Sequence, residues 1–342
     1  MSDTSVMMVV TEPEGPLHSS VAQTTAPTRK QVRVSVVASG VCNADLGTAA
    51  ARGEGTAFPV TPGHEVAGVI AEVGVEVEGF SVGDRVAVGW FGGSCGHCAY
   101  CRAGDVVHCS ERKIPGLSYP GGWAQSITVP ADALARIPDA LDFFDAAPFG
   151  CAGVTTFNAV RKAGIRAGGR VAVFGLGGLG HLAVQFASRL GYETIAIARG
   201  TERDKLARDL GAHHYIDGQA QAPGTALKEL GGADLIVYTA STTTPADELL
   251  TGLKAHGQLT LVGVDAGTVT IPAARLVMNG HTVTGHLTGS PRETEQAMAF
   301  AVTNDVRPMI ERMPVEQAGE AVARLRSGAP RFRIVLDPAD AA

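Results

Sequence analysis

Residues 171–180 constrain the fold more than any other segment of this 342-residue chain. The apolar run Val171–Phe174 is followed by glycines in the spacing G-x-G-x-x-G and by the amphipathic segment Leu179–Leu190. This order predicts a strand, a tight turn and a helix whose N-terminus binds the pyrophosphate of a dinucleotide. Chance matches are common in a chain with 43 glycines, so the flanking strand and helix carry the prediction. The predicted cofactor-binding loop comprises Gly175, Gly177, Gly178, Leu179 and Gly180.

Strands and helices alternate through the middle of the chain. Alternation with helices of about ten residues favours a parallel, doubly wound sheet and therefore an α/β fold. The predicted strands are Val171–Phe174, Thr194–Ala198, His214–Ile216, Leu235–Tyr238, Leu259–Val262 and Thr282–Thr284. The predicted helices between them are Leu179–Leu190, Glu202–Leu210, Thr225–Leu230 and Pro245–Leu253.

The chain before residue 150 has a different pattern, in which glycines and prolines break short apolar runs. Such a pattern indicates a β-rich region. Its predicted strands include Val32–Val37, Val66–Val73, Arg85–Val88 and Ile127–Val129. After residue 290 the chain is predicted to form two helices and a final strand, at Glu293–Thr303, Val315–Ser327 and Phe332–Leu336.

Charge and hydropathy exclude several classes of protein. The net charge is −6 and no basic cluster occurs, which argues against binding to nucleic acid or to an anionic membrane. No apolar stretch reaches the roughly 18–20 residues of a membrane span, and the first 30 residues lack the pattern of a signal peptide. We therefore expect a cytoplasmic protein, in which disulfides are disfavoured.

Four of the six cysteines fall within fifteen residues. The two-residue gaps between the first three let successive thiolates turn back onto one ion. Four sulfur ligands make a closed, structural zinc site. Two disulfides or free thiols are the alternatives, and His97 or His108 could replace a cysteine. The predicted structural ligands are Cys95, Cys98, Cys101 and Cys109.

The other two cysteines lie far apart, each in a distinctive context. Cys42 lies in Gly-Val-Cys-Asn-Ala-Asp, and Cys151 begins Cys-Ala-Gly-Val-Thr-Thr-Phe. His64 lies in Thr-Pro-Gly-His-Glu-Val-Ala-Gly. A single cysteine or histidine is more often a core or surface residue than a ligand, and the spacing alone does not join these three.

These segments, the cysteine cluster and the glycine-rich loop together resemble the zinc-containing medium-chain alcohol dehydrogenases. The resemblance runs from about Val32 to the C-terminus, and its motifs are highly specific in combination. It implies a GroES-like, β-rich catalytic domain at residues 1–152 and 290–342. A Rossmann dinucleotide-binding domain would occupy residues 153–289.

The resemblance also implies a second, catalytic zinc site and therefore two zinc ions per chain. Cys42, His64 and Cys151 match the family's ligands, which leave the fourth position for water or substrate. Glu65 resembles the glutamate that can approach the metal as a fourth ligand. Asp45 resembles the carboxylate that orients the ligand histidine. The alternative is that both acids are ordinary solvated carboxylates.

The turn after the second predicted strand of the Rossmann domain bears on the cofactor. An acid there would bind the ribose hydroxyls of NAD, but the chain has Ala198 and Arg199. A guanidinium suits a 2′-phosphate, so we expect NADP. Alternatively, Arg199 stacks on the adenine and NAD also binds. Arg203 and Lys205 would assist or would be solvated.

Three further residues are expected, by resemblance, near the nicotinamide and the substrate. Thr155 resembles a residue that touches the nicotinamide. Trp90 and Phe91 resemble aromatic residues of the substrate pocket, although plain packing would explain either equally well.

The chain departs from the family at the proton relay. The family commonly has Ser or Thr two residues after the first cysteine ligand and His five residues after it, where this chain has Ala44 and Gly47. Neither side chain can carry a proton. Water, the cofactor ribose or Thr48 would have to replace the relay.

The expected reaction is hydride transfer between NADP(H), or NAD(H), and a primary or secondary alcohol or the matching aldehyde or ketone. A reductase of activated C=C or C=N bonds is the enzymatic alternative, which the missing relay favours. The alternative of another class is a non-catalytic NADPH-binding zinc protein, against which the full ligand set argues. We expect the chain to form a homodimer or homotetramer. Its expected binding partner is a small-molecule alcohol or aldehyde substrate, and we expect it to bind neither nucleic acid nor a membrane.

Overall fold

The computed structural model describes residues 4–49, 58–240, 246–263 and 267–339. No helix among these residues is long and apolar enough to cross a membrane. The strands are β1 (Thr4–Val10), β2 (Leu17–Gln23), β3 (Gln31–Gly40), β4 (Val66–Val73), β5 (Arg85–Val88), β6 (Ser126–Pro130), β7 (Leu134–Arg136), β8 (Arg170–Phe174), β9 (Glu193–Ala198), β10 (His214–Asp217), β11 (Ala233–Tyr238), β12 (Leu253–Leu261), β13 (Thr282–Gly285), β14 (Ile310–Pro314) and β15 (Arg333–Asp337). The helices are α1 (Asn43–Ala49), α2 (Ala99–Arg102), α3 (Phe143–Ala146), α4 (Ala152–Arg161), α5 (Gly180–Arg189), α6 (Asp204–Asp209), α7 (Pro223–Glu229), α8 (Ala246–Leu250), α9 (Ala273–Asn279), α10 (Pro291–Asn304) and α11 (Ala318–Ser327).

The chain divides into two compact units. The first comprises Met1–Val154 and Thr288–Ala342, and the second comprises Thr155–Leu287. Each boundary lies two residues from the limit expected from the sequence. The first unit is therefore made of two separate stretches of chain, and the second of one.

The second unit contains a six-stranded parallel sheet with the order β10-β9-β8-β11-β12-β13. Numbered from β8, this is the order 3-2-1-4-5-6 of a doubly wound dinucleotide-binding sheet, as predicted. Leu235, Ile236 and Val237 in the middle of β11 are fully buried, as expected for a strand covered on both faces. The strand order reverses between β8 and β11, so a ligand is expected beside the carboxyl end of β8.

The first unit contains a seven-stranded, mainly antiparallel sheet and the hairpin β1–β2. The sheet has the order β14-β15-β3-β4-β5-β7, and β6 also pairs with β3. Alternate residues of β3, such as Val32, Val34 and Val36, are buried in one core cluster. Strand β3 is paired with β4, β6 and β15, which brings three distant parts of the chain together.

Several elements differ from the sequence-based expectation. The sequence predicted a β-rich region before residue 150 but named no strand before Val32, where β1 and β2 form a hairpin. Strand β2 is largely exposed and lacks an apolar pattern. Strand β12 begins at Leu253, well before the predicted Leu259. Its first half was missed in the sequence analysis because that half is polar and lacks the apolar run of a buried strand. It takes up the end of the predicted helix Pro245–Leu253, whose first residue lies outside the described part of the chain. The predicted helix Val315–Ser327 begins with a 3-10 turn.

Charged side chains connect the amino ends of the parallel strands in the second unit. Glu193 pairs with Arg170 at 2.8 Å and with His214 at 2.9 Å. Asp234 accepts the backbone N–H of Arg170 and pairs with Lys254, each at 2.7 Å. One chain of ion pairs and hydrogen bonds therefore links strands β8 to β12.

Replacing Glu193 with Gln should lower the melting temperature near neutral pH. The hydrogen bond from Arg170 lowers the pKa of Glu193 below its ordinary value of 4.5. The carboxylate therefore stabilises the fold above that value, and the stabilisation is lost as the pH falls through the lowered pKa. In calorimetric scans, the difference in melting temperature between Glu193→Gln and wild type should shrink from about pH 7 toward about pH 4. Glu202→Gln, at an exposed residue without an ion pair in the described ranges, is the control. An equal difference at both pH values would contradict this role.

Candidate metal and cofactor sites

The ends of β3 and β4 bring the predicted catalytic ligands together. These strands are antiparallel neighbours, so the end of the first lies beside the start of the second. Cys42 comes two residues after β3, and His64 and Glu65 immediately precede β4. Cys151 follows the 3-10 turn Ala147–Gly150. Ligand atoms of these four side chains all lie within 4.8 Å of one another.

Asp45, on α1, fixes the positions of two of these ligands. Its side chain is buried, at 2% exposure, and is therefore not a solvated carboxylate. Oδ2 accepts the backbone N–H of Cys42 at 2.9 Å, and Oδ1 accepts that of Gly63 at 3.1 Å. Oδ1 also lies 2.7 Å from Nδ1 of His64. The ring is thereby oriented through Nδ1, and its buried Nε2 has no hydrogen-bond partner among the described residues.

The two thiols of this cluster are close enough to influence each other. The Sγ atoms of Cys42 and Cys151 lie 4.0 Å apart. The hydrogen bond from Cys151 lowers the pKa of Cys42 well below its ordinary value, and the same contact raises the pKa of Cys151. Two half-buried thiolates at this separation repel each other, and a cation between them would remove that repulsion. Two sulfurs and an unpartnered imidazole nitrogen are a Cys₂His zinc donor set, so the residues fit zinc.

Arg333 is part of this cluster, although the sequence analysis did not identify it. Its Nη2 donates to Oε1 of Glu65, and the two residues are 5% and 0% exposed. Burial raises the pKa of Glu65 to about 7, and the charge of Arg333 opposes this rise. Oε2 of Glu65 has no partner among the described residues, and a Cβ at Gly40 would lie 2.0 Å from it. The available signal was a lone arginine in the otherwise apolar predicted strand Phe332–Leu336, because a buried charge requires a buried partner.

The four remaining cysteines form a second cluster, with sulfur atoms that all lie within 4.8 Å of one another. Sγ of Cys101 lies 3.5 Å from that of Cys98 and 4.0 Å from that of Cys95. These distances exceed the roughly 2.05 Å of a disulfide, and all six cysteines of the chain are unbridged. The structure therefore contradicts the disulfide alternative. His108 does not join the cluster but pairs with Asp105 at 2.8 Å.

Backbone amides surround the sulfur atoms of this second cluster. The N–H of Cys101 donates to Sγ of Cys98 at 3.5 Å, and that of Cys98 donates to Cys95 at 3.4 Å. The donor at Cys101 lowers the pKa of Cys98 to about 5. Desolvation, with the neighbouring thiols, raises the pKa of Cys101 to about 11. Without a cation the cluster cannot hold four thiolates, and a divalent ion removes this conflict.

The glycine-rich loop connects β8 to α5 as predicted. Gly175 has φ of +97°, and a Cβ at Gly180 would lie 1.8 Å from the carbonyl oxygen of Gly175. At Gly177 a Cβ would meet nothing within 4 Å. Gly180 is therefore required by the packing of the protein, whereas Gly177 leaves open space for a ligand. No side chain caps α5, and although the N–H groups of His181 and Leu182 donate to carbonyls of the loop, the loop amides before them mark the expected phosphate site at the N-terminus of a helix.

Arg199 is the first residue after β9 and its side chain is exposed. The turn that carries it is fixed by two contacts. The N–H of Gly200 donates to Oδ1 of Asp217 at 2.8 Å, and the hydroxyl of Tyr215 donates to the carbonyl of Gly200 at 2.6 Å. The guanidinium has no ion-pair partner among the residues described, so it is available to a bound anion.

The two other cations near this turn have different surroundings. Nη1 of Arg203 donates to the carbonyl of Leu176 in the glycine-rich loop at 2.8 Å. Lys205 pairs with Asp209 on the surface, where its side chain is 87% exposed. Arg203 therefore supports the loop, and Lys205 is solvated.

The aromatic residues predicted for the substrate pocket lie beside the segment that carries Cys151. The N–H of Trp90 donates to the carbonyl of Gly150 at 3.2 Å. Trp90 is half-buried, with the guanidinium of Arg112 5.6 Å from its ring centre. Phe91 is 2% exposed. These positions are compatible with pocket lining and with packing.

Two predicted threonines donate hydrogen bonds to backbone carbonyls. Thr48 donates to Ala44 at 3.2 Å, within α1. Thr155, on α4, is 2% exposed and donates to Leu287 at 3.4 Å. The hydroxyl of Thr48 is thus occupied by its own helix and is poorly placed to replace a proton relay.

Comparison with known proteins agrees with this arrangement. The profile of the alcohol dehydrogenase GroES-like domain matches residues 28–139, and that of the zinc-binding dehydrogenase domain matches residues 178–303. Alcohol dehydrogenase notN from Aspergillus sp. (strain MF297-2) is 40% identical over 310 residues, 91% of each protein. NADP-dependent alcohol dehydrogenase C 1 from Mycolicibacterium smegmatis is 36% identical over 309 residues, 88% of each protein. A solved structure, of a cinnamyl alcohol dehydrogenase from Sorghum bicolor, is 30% identical, with a TM-score of 0.91 over 99% of both chains.

The chain therefore belongs to the zinc-containing medium-chain alcohol dehydrogenases. Its GroES-like domain and its Rossmann sheet confirm the predicted fold class. The protein is an NAD(P)-dependent zinc alcohol dehydrogenase, which excludes the predicted alternative of a non-catalytic zinc protein.

Alanine at two glycines of the cofactor loop should have different effects. Gly177→Ala should leave the melting temperature unchanged and weaken binding of the dinucleotide, because the added methyl meets no protein atom but stands where the pyrophosphate is expected. Gly180→Ala should lower the melting temperature, because its methyl overlaps a carbonyl oxygen of the protein. Calorimetry without ligand and fluorescence titration with NADPH separate these effects. A loss of stability in Gly177→Ala equal to that in Gly180→Ala would contradict this assignment.

Proposed function

We propose that this enzyme transfers a hydride between NADP(H) and a primary or secondary alcohol, or the matching aldehyde or ketone, with two zinc ions per chain. Cys42, His64 and Cys151 hold the catalytic ion. The four clustered cysteines hold the structural ion. By analogy with its family, we place the enzyme in the cytoplasm as a homodimer or homotetramer.

One observation carries this proposal: Nε2 of His64 is buried without a partner beside the thiols of Cys42 and Cys151. An ion bound between these side chains would give the imidazole nitrogen the partner that it lacks. Asp45 keeps the ring in this orientation, because it accepts from Nδ1. Three ligands leave one position for the oxygen of a substrate.

The residues around this site prepare it for the chemistry. When bound, zinc supplies Lewis acidity, which lowers the pKa of an alcohol or polarises a carbonyl. Arg333 holds the carboxylate of Glu65 through Oε1 and leaves Oε2 unpaired near the ligands. Glu65 is thus placed to act as a temporary fourth ligand when substrate and product exchange. Trp90 and Phe91 are the proposed walls of the substrate pocket.

The cofactor is bound by the second unit. The amides at the start of α5 receive the pyrophosphate, and the open space at Gly177 lets it approach the backbone. Arg199 replaces the acid that would bind the ribose of NAD, and it has a free guanidinium for the 2′-phosphate of NADP. The relative from Mycolicibacterium smegmatis, named as NADP-dependent, supports this preference. Thr155 is the proposed contact of the nicotinamide.

The missing proton relay bears on the direction of the reaction and on the choice between two substrate classes. Ala44 and Gly47 have no group that can carry a proton, and the hydroxyl of Thr48 is occupied. Reduction needs a proton only after the hydride has moved, so kcat for aldehyde reduction should fall less than kcat for alcohol oxidation, while kcat/KM changes equally in both directions because the equilibrium constant is fixed. Reduction of an activated C=C or C=N bond is the second candidate for the same reason. A panel of alcohols, aldehydes and enones with both cofactors discriminates between them.

Metal analysis tests the two-ion proposal. Purified wild-type enzyme should contain two zinc equivalents. Cys42→Ser should retain one equivalent and should still bind NADPH, because the cofactor loop lies in the other unit, but turnover should be lost. Elemental analysis, fluorescence titration and assays with the substrate panel measure these quantities. A wild-type value near one with full activity, or a full zinc content in Cys42→Ser, would refute the proposal.

Arg199→Ala should reduce kcat/KM for NADPH and leave that for NADH nearly unchanged. A charge-assisted contact is worth about 1.5–3 kcal/mol, which corresponds to roughly 10- to 150-fold. Lys205→Ala is the matched control, because it removes a cation from the same segment that already pairs with Asp209. Steady-state kinetics of the three proteins with both cofactors provide the measurement. A wild-type preference for NADH would show that the assignment of Arg199 is wrong.

A further inference from the structure

A third group of ligand atoms lies at the edge of the four-cysteine cluster. An imidazole nitrogen of His97, a carboxylate oxygen of Glu111 and Sγ of Cys95 all lie within 4.8 Å of one another. His97 and Glu111 are exposed, and Cys95 is half-buried. Cys95 is the one residue that belongs to both groups, so the two sets of ligands share a sulfur atom.

The local backbone holds the histidine in this position. Gly96 has φ of +76°, and the chain bends there between Cys95 and His97. Beyond this bend the N–H of Cys98 donates to Sγ of Cys95 at 3.4 Å. His97 is therefore in the middle of a turn whose two ends are fixed on the same sulfur.

The carboxylate is held in a similar way. The N–H of Glu111 donates to Sγ of Cys109 at 3.3 Å, and the N–H of Cys95 donates to the same sulfur at 3.4 Å. The backbone of Glu111 is thus fixed to the four-cysteine cluster, and its carboxylate lies beside His97 and Cys95. Neither Glu111 nor His97 has an ion pair among the described residues, in contrast to the paired His108 and Asp105 of the same lobe.

The chemistry of these three ligands selects a particular class of ion. Sulfur, nitrogen and oxygen donors together suit zinc and similar transition ions, whereas calcium and magnesium prefer oxygen alone. A thiolate that binds one ion retains lone pairs and can bridge to a second. Four thiolates around one divalent ion also leave a net negative charge, which attracts another cation.

We propose that Cys95, His97 and Glu111 form a third divalent-metal site, open to solvent and bridged to the structural ion through Cys95. It binds zinc or a similar transition ion more weakly than the two resident sites do. The inference rests on the proposed structural zinc site, because Cys95 must be a thiolate there. It assigns to His97 and Glu111 a function that the hydride-transfer reaction does not require.

Zinc binding to the holoenzyme tests this site. Enzyme with two zinc equivalents is dialysed against a series of buffered free-zinc concentrations, with a phosphine reductant that does not bind the metal. A third equivalent should bind reversibly and be removed by a weak chelator that leaves the other two in place. Loss of an outer-sphere partner of a metal already costs about 10–100-fold in affinity, so His97→Ala and Glu111→Gln should each weaken the third site at least tenfold. His108→Ala, the matched control in the same lobe, should have no effect.

A second probe examines the shared sulfur. Cobalt(II) added to the zinc enzyme should give thiolate-to-cobalt absorption without release of zinc, and His97→Ala should abolish it. Absence of a third equivalent, equal binding in His97→Ala and wild type, or cobalt absorption with stoichiometric zinc release would each overturn the inference. A holoenzyme with fewer than two ions would instead refute the two-ion proposal, so the two failures are distinguishable. The melting temperature of each variant verifies that the lobe remains folded.

Discussion

The proposed catalytic metal site depends on a buried ion pair between Glu65 and Arg333. Strand β15 pairs with β3, with Val335 opposite Gly40, and this register lets the guanidinium reach the loop that precedes β4. Removing one partner of such a pair leaves an uncompensated charge in the interior and typically costs about 3–5 kcal/mol. Here the stranded charge would lie beside two thiols and an imidazole. The charges of this pair therefore act on the proposed ligands Cys42 and Cys151 as well as on each other.

The structural lobe is stabilised in a different way. Between Ser94 and Lys113, the buried residues are Val107 and Cys109 alone. So few apolar contacts cannot offset the entropy of ordering about twenty residues. Backbone amides that point at sulfur hold the loop in shape, and this arrangement is favourable when an ion neutralises the thiolates. In this lobe the proposed metal ion would supply the stabilisation that a hydrophobic core supplies in the rest of the unit.

The sequence predicted those features that depend on local pattern. Strands β4 and β5 have their predicted bounds, because apolar runs there end at turns. The doubly wound sheet followed from alternation, and the ligand candidates followed from motif context. Arg333 and the exposed strand β2 were missed, because the partner of each is set by tertiary pairing and not by its neighbours in the chain. The same limit applies to Arg203, whose contact with Leu176 depends on how the turn after β9 packs.

The division of the first unit into two stretches of chain has a consequence for how the protein matures on the ribosome. All three proposed ligands of the catalytic ion are synthesised by residue 151, whereas Arg333 follows 182 residues later (333 − 151). Until then, the carboxylate of Glu65 has no counter-charge, and β3 lacks its neighbour β15 on one side. The second unit, which is continuous, can complete its sheet earlier. Completion of the proposed active centre is thus coupled to synthesis of the second stretch of the first unit, and a fragment that ended before Arg333 would retain every proposed ligand but not the counter-charge of Glu65.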